Sequence, residues 1–336
     1  MNLNQVEKIA DAVLYEGYIL YPYRQSAIKN QQRWNFGVLC PESFSVAQGG
    51  TEAWSMQTEC LISGSSEVAL EVKVRFLHLL MRDICDPQSR VVQAIQVNGQ
   101  ILQTWQEAGE REVCVPLLTL EDGVSRQFPF GFPASEQLET LTDTISGEIA
   151  GHILRRQQAV EGTIDVTVKS LRDGLTKLNV SIRNTTTFED AGQKSRDEAL
   201  MRSMVSTHTI LGLRRGQFVS LLDPPEDCRE AANGCSNIGT YPVLVGEEGE
   251  LDCMLSSPII LYDYPQIAPE SAGALFDGTE IDEILTLRIM TLTDEEKEEI
   301  RAGDERARQI LERTETLPQE QFLKMHGAMK SVSRKQ

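Results

Sequence analysis

The chain has 336 residues, 40% hydrophobic and 24% charged, enough for one large domain or two smaller ones around a sizeable buried core. Fifty acidic residues against 32 basic ones give a formal net charge of −18, so the molecule as a whole repels nucleic-acid phosphates and anionic lipid. The opening MNLNQVEKIADAVLYEG lacks the layout of a secretion signal and no stretch approaches about 18 uninterrupted apolar residues, so the expectation is a cytoplasmic protein with reduced cysteines.

In chain order, Val6, Ile9, Ala10, Val13 and Leu14 follow the spacing of one helical face and predict a short amphipathic helix ending near Gly17. From Val68 to Leu80 the apolar Val68, Leu70, Val72, Val74 and Phe76 alternate with Glu71, Lys73 and Arg75, the period of a strand with one wet face. RVVQAIQVNGQILQTW reads as a hairpin turning at Asn98-Gly99, and REVCVPLL as a further strand. The stretch 134–158, ASEQLETLTDTISGEIAGHILRRQQ, predicts a helix weakened by two glycines. A second hairpin spans 162–186, with Ile164, Val166 and Val168 facing the same way as Leu178, Val180 and Ile182 and Asp173-Gly174 at the turn.

Ser195 and Glu198 have capping-box spacing, so a helix is expected to start there before the chain becomes extended around 216–228 and is stopped by Pro224-Pro225. Residues 223–250 read as a long loop, and SSPIILYDYPQ and DEILTLRIMTL as two last strands. A second capping box at Thr293 and Glu296 opens a charged helix with i, i+4 pairing. The expected fold class is α+β: a predominantly antiparallel β sandwich or barrel with an N-terminal helix and a charged C-terminal helix. A β-rich region 1–190 would be followed by an α+β region 191–336, the two forming one domain or two.

Phosphate-cradling glycine loops, a G-x-S-x-G elbow and an H-E-x-x-H pair are all missing, which lowers the expectation of an enzyme. His78 lies on the inward face of its strand and reads as a hydrogen-bonded core residue. Cys228 and Cys235, with Cys253 downstream and His208 upstream, are the best metal candidates, but C-x6-C is a poor spacing for a closed tetrahedral site. Unpaired thiols are the plainer reading, and neither a metal nor a cofactor is expected. The acids Asp277, Glu280, Asp282 and Glu283 lack the order of a calcium loop and read as a solvated turn. Asn179-Val-Ser and Asn184-Thr-Thr read as chance glycosylation triplets.

Between Glu16 and Glu42 there is no acid, while Arg24, Lys29 and Arg33 give a local +3 beside Tyr18, Tyr21, Tyr23 and Trp34. Tyrosine and arginine couple a broad apolar surface to a polar tip, which suits a partner-binding strip. An internal seam with the acidic, aromatic region 241–264, which holds Tyr241, Tyr262 and Tyr264, is the favoured reading for the tyrosines, with Arg24, Lys29 and Arg33 left facing a partner because three cations without a local acid are costly to bury.

The stretches ADAVLYEGYILYPYR, RWNFGVL, GQFVSLLDPPE, YPVLVGEEGELDCMLSSPIILYDYPQIAPES and FDGTEIDEILTLRIMTLTDEEK resemble an uncharacterised accessory family associated with bacterial nickel-iron hydrogenase gene clusters. The resemblance covers nearly the whole chain and implies an accessory or assembly protein that binds a hydrogenase subunit or a maturation factor. It brings no catalytic residues with it. The other readings are a metal carrier or enzyme using residues 208–253, and a structural component of a larger assembly.

Overall fold

One strand of 31 residues, β1 (Ser55–Cys85), is the spine of the molecule. Its even positions from Val68 to Phe76 are buried on one face, as the alternation requires, and its odd positions Lys73 and Arg75 lie on the other. The computed structural model describes residues 3–14, 35–266 and 292–301, with positions 308, 311, 312, 315 and 316. The predicted strand 282–292 therefore falls outside the described residues, apart from Leu292.

The remaining strands are β2 (Val91–Val92), β3 (Ala94–Val97), β4 (Gln100–Gln103), β5 (Trp105–Thr119), β6 (Ser125–Phe132), β7 (Ser135–Thr142), β8 (Ile149–Gln157), β9 (Val160–Arg172), β10 (Leu175–Asn184), β11 (Val205–Val219), β12 (Tyr241–Leu244) and β13 (Cys253–Ser257). Every pairing among them is antiparallel, so the described chain is mostly antiparallel β with few helices.

Because β1 is so long, each of its edges serves several partners in succession. Leu61 to Ser63 pair with both β10 and β11, and Ala69 to Leu77 with both β11 and β5, which places β10 and β5 along one edge and β11 along the other. β8 follows β11 on that second edge, pairing with Met81 to Cys85. Outward from β1 run β10, β9 and β6 on one side and β11, β13 and β12 on the other. The sheet thus joins strands from both halves of the sequence.

The ladder to β11 shifts register between Gly64 and Ala69. Gly64 and Gly216 oppose each other there, and Val68 methyls sit 2.7 Å from where a Cβ on either glycine would stand. The absence of side chains lets Val68 fill the bend, and the sheet curls over its inner face. That face holds the main core, built from Val68, Leu70, Val72, Val74 and Phe76 with Ile164, Val166, Leu178, Val180, Leu211 and Phe218. Phe130 and Phe132 of β6 close over Phe76 with ring centroids 6.2 and 5.7 Å away.

On the outer face α1 (Leu3–Leu14) lays Val6, Ile9, Ala10 and Val13 against Ile210, Val243, Val245, Cys253 and Leu255. Two ion pairs fix its register: Glu7 with Lys73 at 2.8 Å and Asp11 with Arg75 at 2.7 Å. A third cluster gathers Leu77 and Leu79 with Leu14, Phe44 of α2 (Glu42–Ala47), Phe188, Leu200 of α3 (Arg196–Leu200), Ile300 of α5 (Asp294–Arg301) and Leu311.

The hairpins at Asn98-Gly99 and Asp173-Gly174 form as their turn chemistry predicts, and Ser195 and Glu198 close both bonds of a capping box. Four expectations are corrected. Residues 134–158 are the hairpin β7–β8, not a helix. The extended segment near 216 begins already at Val205. Within 223–250 lie a 3-10 turn, the short α4 (Arg229–Asn233) and β12. The strand expected over SSPIILYDYPQ is Cys253–Ser257 instead, ending where Pro258 can no longer donate to a ladder.

Candidate functional site

Tyr18, Tyr21, Tyr23, Arg24, Lys29, Arg33 and Trp34 lie outside the described residues, as do Asp277, Glu280, Asp282 and Glu283. Their proposed counterpart is visible: Tyr262 is 85% exposed, Tyr241 is exposed, and Tyr264 packs against the main core. The four metal candidates are distributed over the fold. Cys228 joins Leu61, Leu175 and Val219 with Cys235 against them, whereas Cys253 lies beneath α1. Burial pushes the Cys235 thiol up to about 11 and the Cys253 thiol up to about 12, so neither is a thiolate at neutral pH. Among the described residues no group of three His, Cys, Asp or Glu side chains is placed to hold a metal.

His208 is fully buried and stands opposite Arg75 across the β1–β11 ladder. Its Nδ1 donates to the Ser206 carbonyl at 2.6 Å, and burial pulls its pKa down to about 4. His78 is likewise fully buried on the inner face, as the alternation predicts, and burial followed by the nearby Arg111 charge lowers it to about 4. The Arg111 guanidinium sits 4.8 Å over the Phe132 ring and donates to Gln157 at 2.6 Å, while Gln157 donates to the His78 carbonyl at 3.1 Å.

Beyond His78 the inner face turns from apolar to charged. Arg82 of β1 reaches Glu107 of β5 at 3.4 Å, Glu107 holds Arg155 of β8 at 3.1 Å, and Arg155 holds Glu139 of β7 at 2.8 Å. On the opposite face Arg156 pairs with Asp83. Four strands are therefore tied across both faces at the base of the β7–β8 hairpin.

That hairpin extends past the end of β1 with most of β7 exposed. Its turn is built by Asp143, whose carboxylate accepts from the amides of Ile145 and Ser146 at 2.9 and 2.7 Å, which holds the carboxyl below its ordinary range, and by Gly147 at φ +72°. The β3–β4 turn is locked beside it: Asn98 donates to the Thr142 carbonyl at 3.1 Å and accepts from the Thr144 amide at 2.8 Å. The paired hairpins form a head carrying exposed apolar side chains, Ile145 at 95%, Leu138, Ile149 and Ile101. The helix expected over 134–158 hid this head, although Thr140, Thr142 and Thr144 favour strand and Asp143 with Gly147 brackets a turn.

A cavity of about 550 Å³ opens on another side, where the chain leaves β10 and passes through α3. Its lining includes Gln158, Phe188, Glu189, Asp190, Met201 and Arg202. The sequence offered no motif for it, because the lining comes from three separate connections.

The chain matches no family model and no curated protein. None of the described helices is long and apolar enough to cross a membrane.

Proposed function

We propose that this is a non-catalytic accessory protein of the cytoplasm that binds a protein partner through the paired-hairpin head. The curled sheet is read as an open barrel whose wall carries that head. The observation supporting the reading is Ile145, almost fully exposed at the tip of a hairpin whose base is clamped by ion pairs on both sheet faces. Large aliphatic groups presented on a rigid support lose little conformational freedom when a partner covers them, which is what a binding surface requires. The resemblance to accessory proteins of hydrogenase clusters makes a hydrogenase subunit or maturation factor the partner class. Seven cysteines free of disulfides are in keeping with a reducing compartment.

The test is co-purification with separately tagged hydrogenase subunits and maturation factors. Ile145→Asp with Ile149→Asp is expected to reduce capture about tenfold or more with little change in melting temperature, since both side chains are exposed. Capture of a partner at undiminished yield by the double variant contradicts the reading, as does failure to capture any of them.

A further inference from the structure

The cavity beside α3 contains an arginine whose side-chain acceptor is a neutral amide rather than a carboxylate. Arg202 has no ion-pair partner among the described residues, whereas the neighbouring Lys194 is 3.0 Å from Glu198. Its guanidinium lies 5.8 Å from the Phe188 ring and donates to Gln158 at 2.8 Å. Its carbonyl accepts from the buried Asn184 side chain at 2.9 Å, so backbone and guanidinium are both held. A planar fork fixed on an aromatic face recognises carboxylates, and its ordering cost is met before any ligand arrives.

The rest of the lining narrows the ligand. Glu198 is occupied by the α3 capping box and by Lys194, and these bonds lower its carboxyl to about 2. Glu189 and Asp190 are exposed at the cavity and have no ion pair among the described residues. Asp190 has φ +52°, the left-handed backbone through which the chain turns into the next segment. Two carboxylates beside one unpaired arginine disfavour a phosphate dianion and favour a ligand that also carries a positive charge. Phe188 and Met201 supply the apolar surface, and the volume is that of a small-molecule site.

We infer that this cavity binds a small zwitterion of the α-amino-acid class, with its carboxylate on Arg202, its ammonium towards Glu189 and Asp190, and its apolar side chain against Phe188 and Met201. The site is separate from the hairpin head, and its occupation does not depend on the partner.

The experiment titrates the full chain with leucine and phenylalanine and follows NMR shifts. Three controls complete the set: 4-methylpentanoate, which is leucine without its amine, 3-methylbutylamine, which lacks the carboxylate, and inorganic phosphate. Saturable binding with Kd below about 10 mM is expected for at least one amino acid, the matched analogues binding about tenfold more weakly. Arg202→Lys is expected to weaken the amino acid about tenfold. Glu189→Gln with Asp190→Asn changes exposed groups and leaves the fold intact; it is expected to abolish the preference for leucine over 4-methylpentanoate. No saturable binding, tighter binding of phosphate, or a preference for leucine that survives the double substitution would each overturn the inference.

Discussion

Single residues in this fold are most informative where polar groups are buried. His78 and His208 are enclosed as neutral imidazoles, each with its pKa lowered to about 4 from the ordinary 6.5. The unfolded chain therefore binds more protons than the native one between those values. Each histidine contributes stability that is fully present above about pH 6.5 and is lost progressively as pH falls towards 4, at most roughly 3 kcal/mol apiece. Urea melts at pH 7 and pH 4.5 should show that loss, and His78→Gln should shrink it. Titration of the His78 or the His208 imidazole itself near 6.5, assigned by NMR through loss of its signal in the single variant, would contradict the assignment. Asn184 is the second such position: its side chain donates to the carbonyls of Leu39 and Arg202 at 2.8 and 2.9 Å and accepts from the Thr186 amide at 2.9 Å. Asn184→Ala removes the side-chain partner of the Arg202 carbonyl and of the Thr186 amide, while the Leu39 carbonyl keeps its bond from the Met204 amide, and is expected to cost roughly 2 kcal/mol in a denaturation experiment. With its amide nitrogen so engaged, the Asn184-Thr-Thr triplet is no glycosylation acceptor in the folded protein.

Among the elements, the β7–β8 hairpin depends on one close approach. Gly151 pairs with Leu141 of β7 and lies against the end of β1, where a Cβ would stand 2.5 Å from the Cys85 carbonyl oxygen and 3.1 Å from Ile95 Cδ1. Gly151→Ala is expected to destabilise by roughly 2–3 kcal/mol, because backbone cannot yield as a side-chain tip can. Hydrogen exchange should localise the damage, with amides of 149–157 losing protection while those of 68–77 keep it. Equal loss in both segments would mean that the head is no separate unit. Elements whose pattern coincided with their turn chemistry were legible from the sequence: β1 by strict alternation, the 162–186 hairpin by alternation plus Asp173-Gly174. The 134–158 hairpin was not, because Leu138 and Leu141 stand three apart and Glu, Gln and Leu favour helices, whereas its stability comes from pairing with β1 some seventy residues upstream. The cavity was illegible for a related reason, since Gln158, Phe188 and Arg202 meet only after the sheet has formed.

At the scale of the whole molecule, the net charge of −18 sets the background for any encounter. The described ion pairs are mostly exposed or half-exposed, each worth little, while the excess of acids repels itself in the folded state. Raising salt from about 20 to 300 mM shortens the Debye length to below about 10 Å and is expected to raise the melting temperature by about 2–5 °C. The same titration separates the two docking surfaces under consideration. Binding through the apolar head should keep or gain affinity in salt, because burial of Ile145 and Ile149 is not screened and the long-range repulsion is. Binding through Arg24, Lys29 and Arg33 requires an acidic partner drawn to a local +3, and must weaken as that attraction is screened. The expected outcome is capture that is undiminished at about 300 mM salt, lost in Ile145→Asp with Ile149→Asp, and retained in Arg24→Glu with Arg33→Glu. Capture that falls with salt and with the arginine pair, but not with the isoleucine pair, would transfer the interface from the head to the basic strip.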